Sequence, residues 1–182
     1  MIQVSPDGRW LLGTDLGRDR LLAWSLVSGT PQGAAHELAL SPGSGPRHFA
    51  FHADDPRWVY VLQEESSTLS TVELTPTGPR LHGEISVLPA PGHTAGSVLL
   101  SVPTREHPGV DRIVFSGDVV FAGSVGRTDL PGGDQPTMLR SLREVVLALP
   151  ERTALLPGHG PQTSLANERL HNPYLQPDFL RN

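Results

Sequence analysis

The chain has 182 residues, contains no cysteine and carries a formal net charge of −5 at pH 7. The lack of cysteine excludes disulfides, thiolate metal ligands and a thiol nucleophile, and the negative charge argues against a nucleic-acid partner. No apolar stretch approaches the roughly 18 residues of a membrane span, and the start, MIQVSPDGRW, does not resemble a signal peptide. We therefore expect a soluble, cytoplasmic protein with no membrane partner. Its 19 glycines and 18 prolines predict a loop-rich, largely β chain.

An internal repeat occupies the first part of the chain. Residues 4–26 and 52–74 align without a gap at an offset of 48 residues, and the motif Asp-x-Arg-Trp begins at Asp7 in one copy and at Asp55 in the other. Each copy reads as a turn, an apolar strand, a second turn and an alternating strand. A period in the forties with turn-separated strands is typical of a propeller blade. The predicted strands are residues 10–14, 20–26, 58–62 and 68–74.

The sequence of this repeat resembles the seven-bladed β-propeller lactonases of the 6-phosphogluconolactonase-like family. The segments that carry the resemblance are VSPDGRW at 4–10 and GPRHFAFHADDPRWVYVLQEESSTLSTVEL at 45–74. The resemblance covers about residues 2–76, which is the length of two blades. It implies that Arg47, His48 and Glu64 belong to a ligand-facing cleft that acts on lactones. Because a propeller needs several blades around an axis, two blades predict only a remnant of that cleft.

The pattern changes after a turn-rich joint at residues 75–83, which contains two prolines and two glycines. A helix is predicted at 135–149, with Asp134 as its N-cap and an apolar stripe at Leu139, Leu142, Val146 and Leu149. A second helix is predicted at 164–171 with Thr163 as its N-cap. Strands that alternate with helices indicate an α/β unit. The predicted strands are residues 85–88, 97–102, 111–116 and 154–156.

Three glycine-containing loops follow predicted strands in this second part. They place His93 in PGHTAGS, Asp118 in SGD and His159 in LPGHG, with spacings of 25 and 41 residues. Glycine beside each of these residues lets the backbone approach closely and frees the side chain to point into a cleft. Two imidazoles and a carboxylate are good donors for zinc or iron. The three loops together predict a metal site.

The segment from about residue 84 to 175 resembles the C-terminal half of metallo-β-lactamase-fold hydrolases, close to the glyoxalase II-like group. The resemblance implies that His93 binds a first metal, that Asp118 bridges two metals and that His159 binds the second. It implies hydrolysis of a thioester or ester by a metal-bound hydroxide. Arg127, in the run GRTD, is implied near the substrate, so Asp118 and Arg127 are the candidate catalytic residues. A surface-loop role for Arg127 remains open.

The family motif His-x-His-x-Asp-His, which supplies the remaining ligands, is missing. The chain has eight histidines, and no two of them are separated by a single residue. The segment most similar to this motif is AFHADD at 50–55. The internal repeat explains this segment, because its Asp55 aligns with Asp7. The resemblance therefore implies a zinc or iron site with an incomplete ligand set, and we expect weak or absent activity.

The sequence thus predicts a mixed architecture. Residues 1–80 are predicted to form two antiparallel, propeller-like blades, and residues 81–182 the C-terminal α/β half of a metallo-β-lactamase αββα sandwich. The leading hypothesis is an impaired metal-dependent hydrolase of hydroxyacylglutathione-type thioesters, although whether the chain is an enzyme is left open. Near the C-terminus, Glu168 and Asn172 match the sequence pattern of the metallo-β-lactamase-fold hydrolases. A position on a solvent-exposed helix face explains Glu168 equally well.

Three alternatives remain. The first is a metal-independent lactone hydrolase that uses Arg47, His48 and Glu64, so the small-molecule partner is a thioester or a lactone. The second is a persulfide dioxygenase, because that group shares the GRTD-type run and uses one iron. The third is a non-enzymatic truncated fusion or interaction protein, whose uncovered apolar sheet face and exposed sheet edge would drive self-association.

Overall fold

The computed structural model describes residues 1–104 and 107–181. They form two compact units, the first of which is Met1–Ser86, while the second begins at Val87. The domain boundary predicted between residues 80 and 81 falls inside a strand, Gly78–Pro89. In the part of the chain that is described, no helix has the length and apolar character needed to cross a membrane.

The first unit contains two antiparallel meanders, in each of which neighbouring strands follow one another along the chain. All four predicted repeat strands are present, each within one residue of its predicted bounds. The first meander is β1 (Ile2–Val4), β2 (Trp10–Asp15), β3 (Arg20–Val27) and β4 (Thr30–Ala39), and the second is β5 (Pro46–Phe51), β6 (Trp58–Gln63), β7 (Thr68–Thr75) and β8 (Gly78–Pro89).

The two copies of the repeat fold alike in detail. Trp10 pairs with Ser25 across β2 and β3, and the residues 48 positions later, Trp58 and Glu73, pair across β6 and β7. The turns correspond as well, because a residue with positive φ ends each of them at the same repeat position, Asp19 at 53° and Ser67 at 52°. The offset that defines the repeat in the sequence therefore also defines its strand register.

The turn-rich joint predicted at residues 75–83 was wrong for most of its length. Only residues 76 and 77 lie between strands, because β8 begins at Gly78 and pairs with β7 from the Gly78–Thr75 contact onward. Pro79 lies opposite Leu74 in this pairing. The strand predicted at 85–88 is the later part of β8.

Strands and short helices alternate in the second unit, as predicted. Its main strands lie in the order β14-β13-β10-β9, with β10 parallel to β13 and the other neighbouring pairs antiparallel. The strands are β9 (Val98–Pro103), β10 (Arg112–Gly117), the hairpin β11 (Val120–Phe121) and β12 (Ser124–Val125), β13 (Thr153–Pro157) and β14 (Thr163–Ser164).

The helix predicted at 135–149 is shorter and less regular than expected. It begins as α1 (Gln135–Ser141), capped by the predicted Asp134, whose carboxylate accepts a hydrogen bond from the Thr137 amide at 2.9 Å. From Leu142 to Val146 the chain continues as a π-helical turn. The predicted apolar stripe is nevertheless buried, because all four of its residues lie in the core of this unit, with Leu142 and Val146 completely buried.

The second predicted helix is α2 (Leu165–His171), and its N-cap is Ser164 rather than Thr163. The Ser164 hydroxyl accepts from the Asn167 amide, whereas the Thr163 hydroxyl donates to Glu168. A 3-10 turn at Pro173–Leu175 and a short helix, α3 (Pro177–Leu180), follow. The whole chain is therefore predominantly β with antiparallel pairing, and its helices lie in the second unit.

Candidate metal centre

The candidate ligands lie at the ends of strands of the second unit. Asp118 directly follows β10, and His159 comes two residues after β13. Because β10 and β13 are parallel neighbours, with Gly117 opposite Pro157, their carboxyl ends share one edge of the sheet. This pairing explains how two residues 41 positions apart become neighbours.

Both imidazoles contact the Asp118 carboxylate. His159 Nδ1 lies 2.9 Å from Oδ1, and His93 Nε2 lies 3.7 Å from Oδ2. The side chain of His159 is largely exposed, whereas those of His93 and Asp118 are mostly shielded. The structure therefore brings together all three residues that the sequence singled out as ligands, with Asp118 in the middle.

A backbone carbonyl fixes the orientation of His93. Its Nδ1 lies 2.8 Å from the Arg127 carbonyl oxygen, and because that oxygen only accepts, Nδ1 carries the proton in this contact. In the neutral imidazole this leaves the lone pair on Nε2, the atom that faces Asp118. Metal-binding histidines usually donate their other ring N–H to a carbonyl or carboxylate in this way.

Two glycines allow the loops to meet. A Cβ atom on Gly158 would lie 2.6 Å from Asp118 Oδ1, and one on Gly126 would lie 1.8 Å from the Asp118 carbonyl oxygen and 3.2 Å from His93 Cβ. A side chain at position 126 is incompatible with the observed approach of the loops, and one at position 158 would displace the Asp118 carboxylate. From the sequence, Gly158 is predicted only to free the neighbouring His159, and no role is predicted for Gly126.

The hairpin β11–β12, which joins Asp118 to Arg127, is held by a buried carboxylate. Glu168 is completely buried and accepts a hydrogen bond from the Gly123 amide at 2.7 Å. Asn172, also completely buried, donates to the Ser124 carbonyl and to Glu168. The solvated-face interpretation of Glu168 was therefore wrong, since its charge is inside the unit and fixes the loop that leads to the cluster.

The hydrogen bonds of Glu168 govern its ionisation. Burial by itself raises its pKa, but bonds from Thr163, Gly123, Asn167 and Asn172 outweigh burial, and the pKa lies below its ordinary value of 4.5. All four donors are uncharged. Glu168 therefore stabilises the fold fully above pH 4.5, where it is ionised in the folded and unfolded chain alike, and the stabilisation is lost as pH falls through the folded-state pKa.

We expect Glu168→Gln to destabilise the second unit by about 1–3 kcal/mol at pH 7, because buried donors lose a charged acceptor. The difference from the unsubstituted chain should shrink as the pH is lowered below 4.5. Denaturant unfolding over a pH series, followed by amide signals of the second unit, measures both free energies of unfolding. A difference that stays constant with pH would contradict the assigned role.

The guanidinium of Arg127 is engaged with a neighbour. It binds Asp129 through two hydrogen bonds, of 2.7 and 2.6 Å, and both side chains are well exposed. This pairing raises the pKa of Arg127 and lowers that of Asp129 to about 2. The contact of Arg127 with the cluster is made by its carbonyl oxygen, so a catalytic role of its side chain stays a prediction.

The cluster suits a metal in its donor types but not in its arrangement. Among residues 1–104 and 107–181, no group of three or more His, Asp or Glu side chains is placed so that it could hold a metal ion. Asp118 and His159 are instead hydrogen-bonded to each other.

The lactonase-like candidates lie in the first unit. Arg47 on β5 binds the carboxylate of Glu64, which follows β6, with Nη1 at 2.8 and 2.5 Å from its two oxygens. This contact raises the pKa of Arg47. A bulge between Pro46 and His48 leaves the side chains of both Arg47 and His48 exposed. The structure thus joins Arg47 and Glu64, and His48 follows Arg47 on β5.

Comparison with known proteins finds two kinds of relative. Residues 1–101 match the family described as lactonase, 7-bladed beta-propeller. The chain is 38% identical over 139 residues to the probable metallo-hydrolase YqgX of Bacillus subtilis (strain 168), which covers 64% of this chain and 63% of that protein. It is 38% identical over 89 residues to hydroxyacylglutathione hydrolase GloC of Haemophilus influenzae, covering 49% and 39%.

Among solved structures, the B3 metallo-β-lactamase BLEG-1 is 45% identical, with a TM-score of 0.45 and coverage of 52% of this chain and 42% of that one. The chain spans less than two thirds of the length of each of these three proteins. Both resemblances predicted from the sequence are confirmed. The chain is also similar to metallo-hydrolases. Because residues 1–101 are more than half of the chain, the protein belongs to the seven-bladed β-propeller lactonase family.

Proposed function

We propose that the second unit carries a metal-dependent hydrolase site with His93, Asp118 and His159 as ligands of zinc or iron, and that this site is impaired in the present chain. The observation that carries the proposal is the contact of both imidazoles with the Asp118 carboxylate, at 2.9 and 3.7 Å. The orientation of His93 by the Arg127 carbonyl supports it further. The substrate class that we propose, hydroxyacylglutathione-type thioesters, follows the relatives.

Impairment follows from the number and placement of the donors. A mononuclear site needs at least three converging donors, and a dinuclear site needs more. The chain has no His-x-His segment to add to the three, and they are not placed around one point. We therefore propose slow or absent turnover by the chain alone. As an architecture, we propose two propeller-type blades in residues 1–80 followed by half of an αββα sandwich in 81–182.

The test is metal content and thioester turnover. The full chain is equilibrated with Zn²⁺ or, without oxygen, with Fe²⁺, then desalted and analysed by mass spectrometry of the metal. We expect at most one equivalent in the unsubstituted chain and at least tenfold weaker binding in His159→Ala and Asp118→Asn, because each removes a proposed ligand. His171→Ala, a histidine on α2 that contacts Asn167 instead, is the matched control.

Equal trace metal in all four proteins would refute the site. If the unsubstituted chain binds metal, its hydrolysis of a hydroxyacylglutathione thioester should be slow and sensitive to chelator. The Asp118→Asn variant should lose this activity. Turnover that matches a complete enzyme of this class would refute the proposed impairment while leaving the ligand assignment in place.

A second candidate function, lactone hydrolysis, is favoured by the Arg47–Glu64 ion pair and the lactonase family match. It uses no metal, so lactone turnover would be insensitive to chelator and reduced in Glu64→Gln. The same preparations distinguish the two candidates, because a chelator should abolish one activity and leave the other unchanged.

A further inference from the structure

The repeat allows the two faces of each meander to be compared position by position. Successive residues of a strand point to opposite faces, so each meander has two sets of repeat positions. We name as face A the set Trp10, Leu12, Leu21 and Ala23 in the first meander and Trp58, Tyr60, Leu69 and Thr71 in the second. We name as face B the set Leu11, Gly13, Leu22, Trp24 and Leu26 in the first and Val59, Val61, Ser70, Val72 and Leu74 in the second.

The core of the first unit uses different faces of the two copies. Face A of the first meander is buried, with Leu12 and Leu21 completely so, while face B of the second is buried, with Val59 and Val72 completely so. All of these apolar residues belong to one contiguous core. Within the chain, therefore, face A of one repeat packs against face B of the next repeat.

The complementary pair of faces is left over. On face B of the first meander, Leu22 and Trp24 are only partly buried, and on face A of the second meander Trp58 and Tyr60 are partly buried. Leu62, at the edge of this second surface, is 46% exposed.

The positions named above are uncharged, but the same faces carry charged residues at their strand ends. Asp15 and Arg20 lie opposite each other on face B of the first meander, and Glu73 on face A of the second lies opposite Arg80 of β8. Each of these charges therefore has a neighbour of opposite sign when the face is covered. The two surfaces also carry three large aromatic side chains, the type that contributes most to association.

We infer that a second copy of this chain docks on the first unit by placing face B of its first meander on face A of the second meander. Inside the chain, the same two faces of the repeat already pack together in one core. The two repeats have the same strand register. The first meander of a second chain can therefore pack on the second meander with the same backbone arrangement that joins the two meanders within one chain. Such a contact joins two different surfaces, so it is heterologous and can continue from copy to copy.

The experiment uses the full chain and two single-face variants. Leu22→Arg places a charge on the free face B, and Leu69→Arg places one on the free face A. Mass is measured by sedimentation from low to high micromolar concentration, and circular dichroism confirms folding. If either variant unfolds, Leu26→Arg or Thr71→Arg replaces it on the same face. Leu170→Arg, at a 74% exposed leucine of α2 outside both faces, is the control.

The unsubstituted chain and Leu170→Arg should gain mass with concentration, whereas each single-face variant alone should associate at least tenfold more weakly. An equimolar mixture of the two variants should form one-to-one dimers and nothing larger, because each supplies the intact face that the other needs. A monomeric unsubstituted chain, variants that associate as it does, or a mixture without dimers would each overturn the inference.

Discussion

Replacing Gly126 by alanine should disrupt the second unit and separate His93 from Asp118. The new Cβ atom would lie 1.8 Å from the Asp118 carbonyl oxygen, and the neighbouring atom is backbone, which cannot turn aside as a flexible side chain does. The Gly126 amide also donates to the Val119 carbonyl at 3.2 Å, so the segment cannot move away without losing this bond. We expect destabilisation of roughly 3 kcal/mol or more, the range of severe backbone and packing clashes.

The measurement is the free energy of unfolding of the second unit, together with the imidazole ¹⁵N signals of His93 in the metal-free chain. Loss of the contact with the Arg127 carbonyl should release the Nδ1 proton to exchange with water. Gly96→Ala is the matched control, because a Cβ atom there meets nothing within 4 Å. If Gly126→Ala were as stable as Gly96→Ala and kept the His93 proton, the close approach of the two segments would be wrong.

Four strands of the first unit, β2, β3, β6 and β7, could be predicted from the sequence to within one residue because their signals are local and occur twice. Each strand has an alternating pattern, each turn has its own polar residues, and the second copy confirms the first at an offset of 48. The start of β8 was predicted wrongly because it depends on pairing with another strand and not on local sequence. Gly78 and Pro79 are turn-forming residues in isolation, but here the pairing of Pro79 with Leu74 on β7 extends the strand.

The proximity of His93, Asp118 and His159 could be predicted because their motifs stand at strand ends, and the parallel pairing of β10 and β13 brings two such ends together. What supports these three residues could not be predicted. The contact between Gly126 and Asp118 depends on how the β11–β12 hairpin closes, and Glu168 reaches Gly123 across 45 residues of sequence. A glutamate in the first turn of a helix has the same local pattern whether it faces water or, as here, a buried amide.

The break in the first helix also lies beyond sequence patterns. The apolar stripe at Leu139, Leu142, Val146 and Leu149 fits a regular helix over the whole segment, and burial of all four residues is satisfied by the observed chain as well. The amide of Leu147 bonds to the carbonyl of Leu142, five residues back, so the turn widens without exposing the stripe. Hydrophobic periodicity therefore predicted which side chains are inside, although it did not predict the π turn.

Gly158→Ala is expected to damage the candidate metal centre while leaving the fold nearly intact. The added Cβ would lie 2.6 Å from Asp118 Oδ1, the atom that accepts from His159, and 3.4 Å from the carbonyl carbon of Gly117. A carboxylate at the end of a side chain can rotate away, unlike the backbone oxygen beside Gly126. The substitution should thus cost little stability, and its main effect should be loss of the 2.9 Å contact between Asp118 and His159.

The readout is the Nδ1 proton of His159 by ¹⁵N NMR in the metal-free chain, and then Zn²⁺ affinity. We expect the proton signal to be lost and the affinity to fall by about tenfold or more, as when a residue that orients a metal ligand is removed. Gly96→Ala should change neither. Because the proton signal is read without metal, the geometric claim stands or falls even if Zn²⁺ does not bind. If Gly158→Ala kept the proton signal, the contact between Asp118 and His159 would not require glycine at position 158.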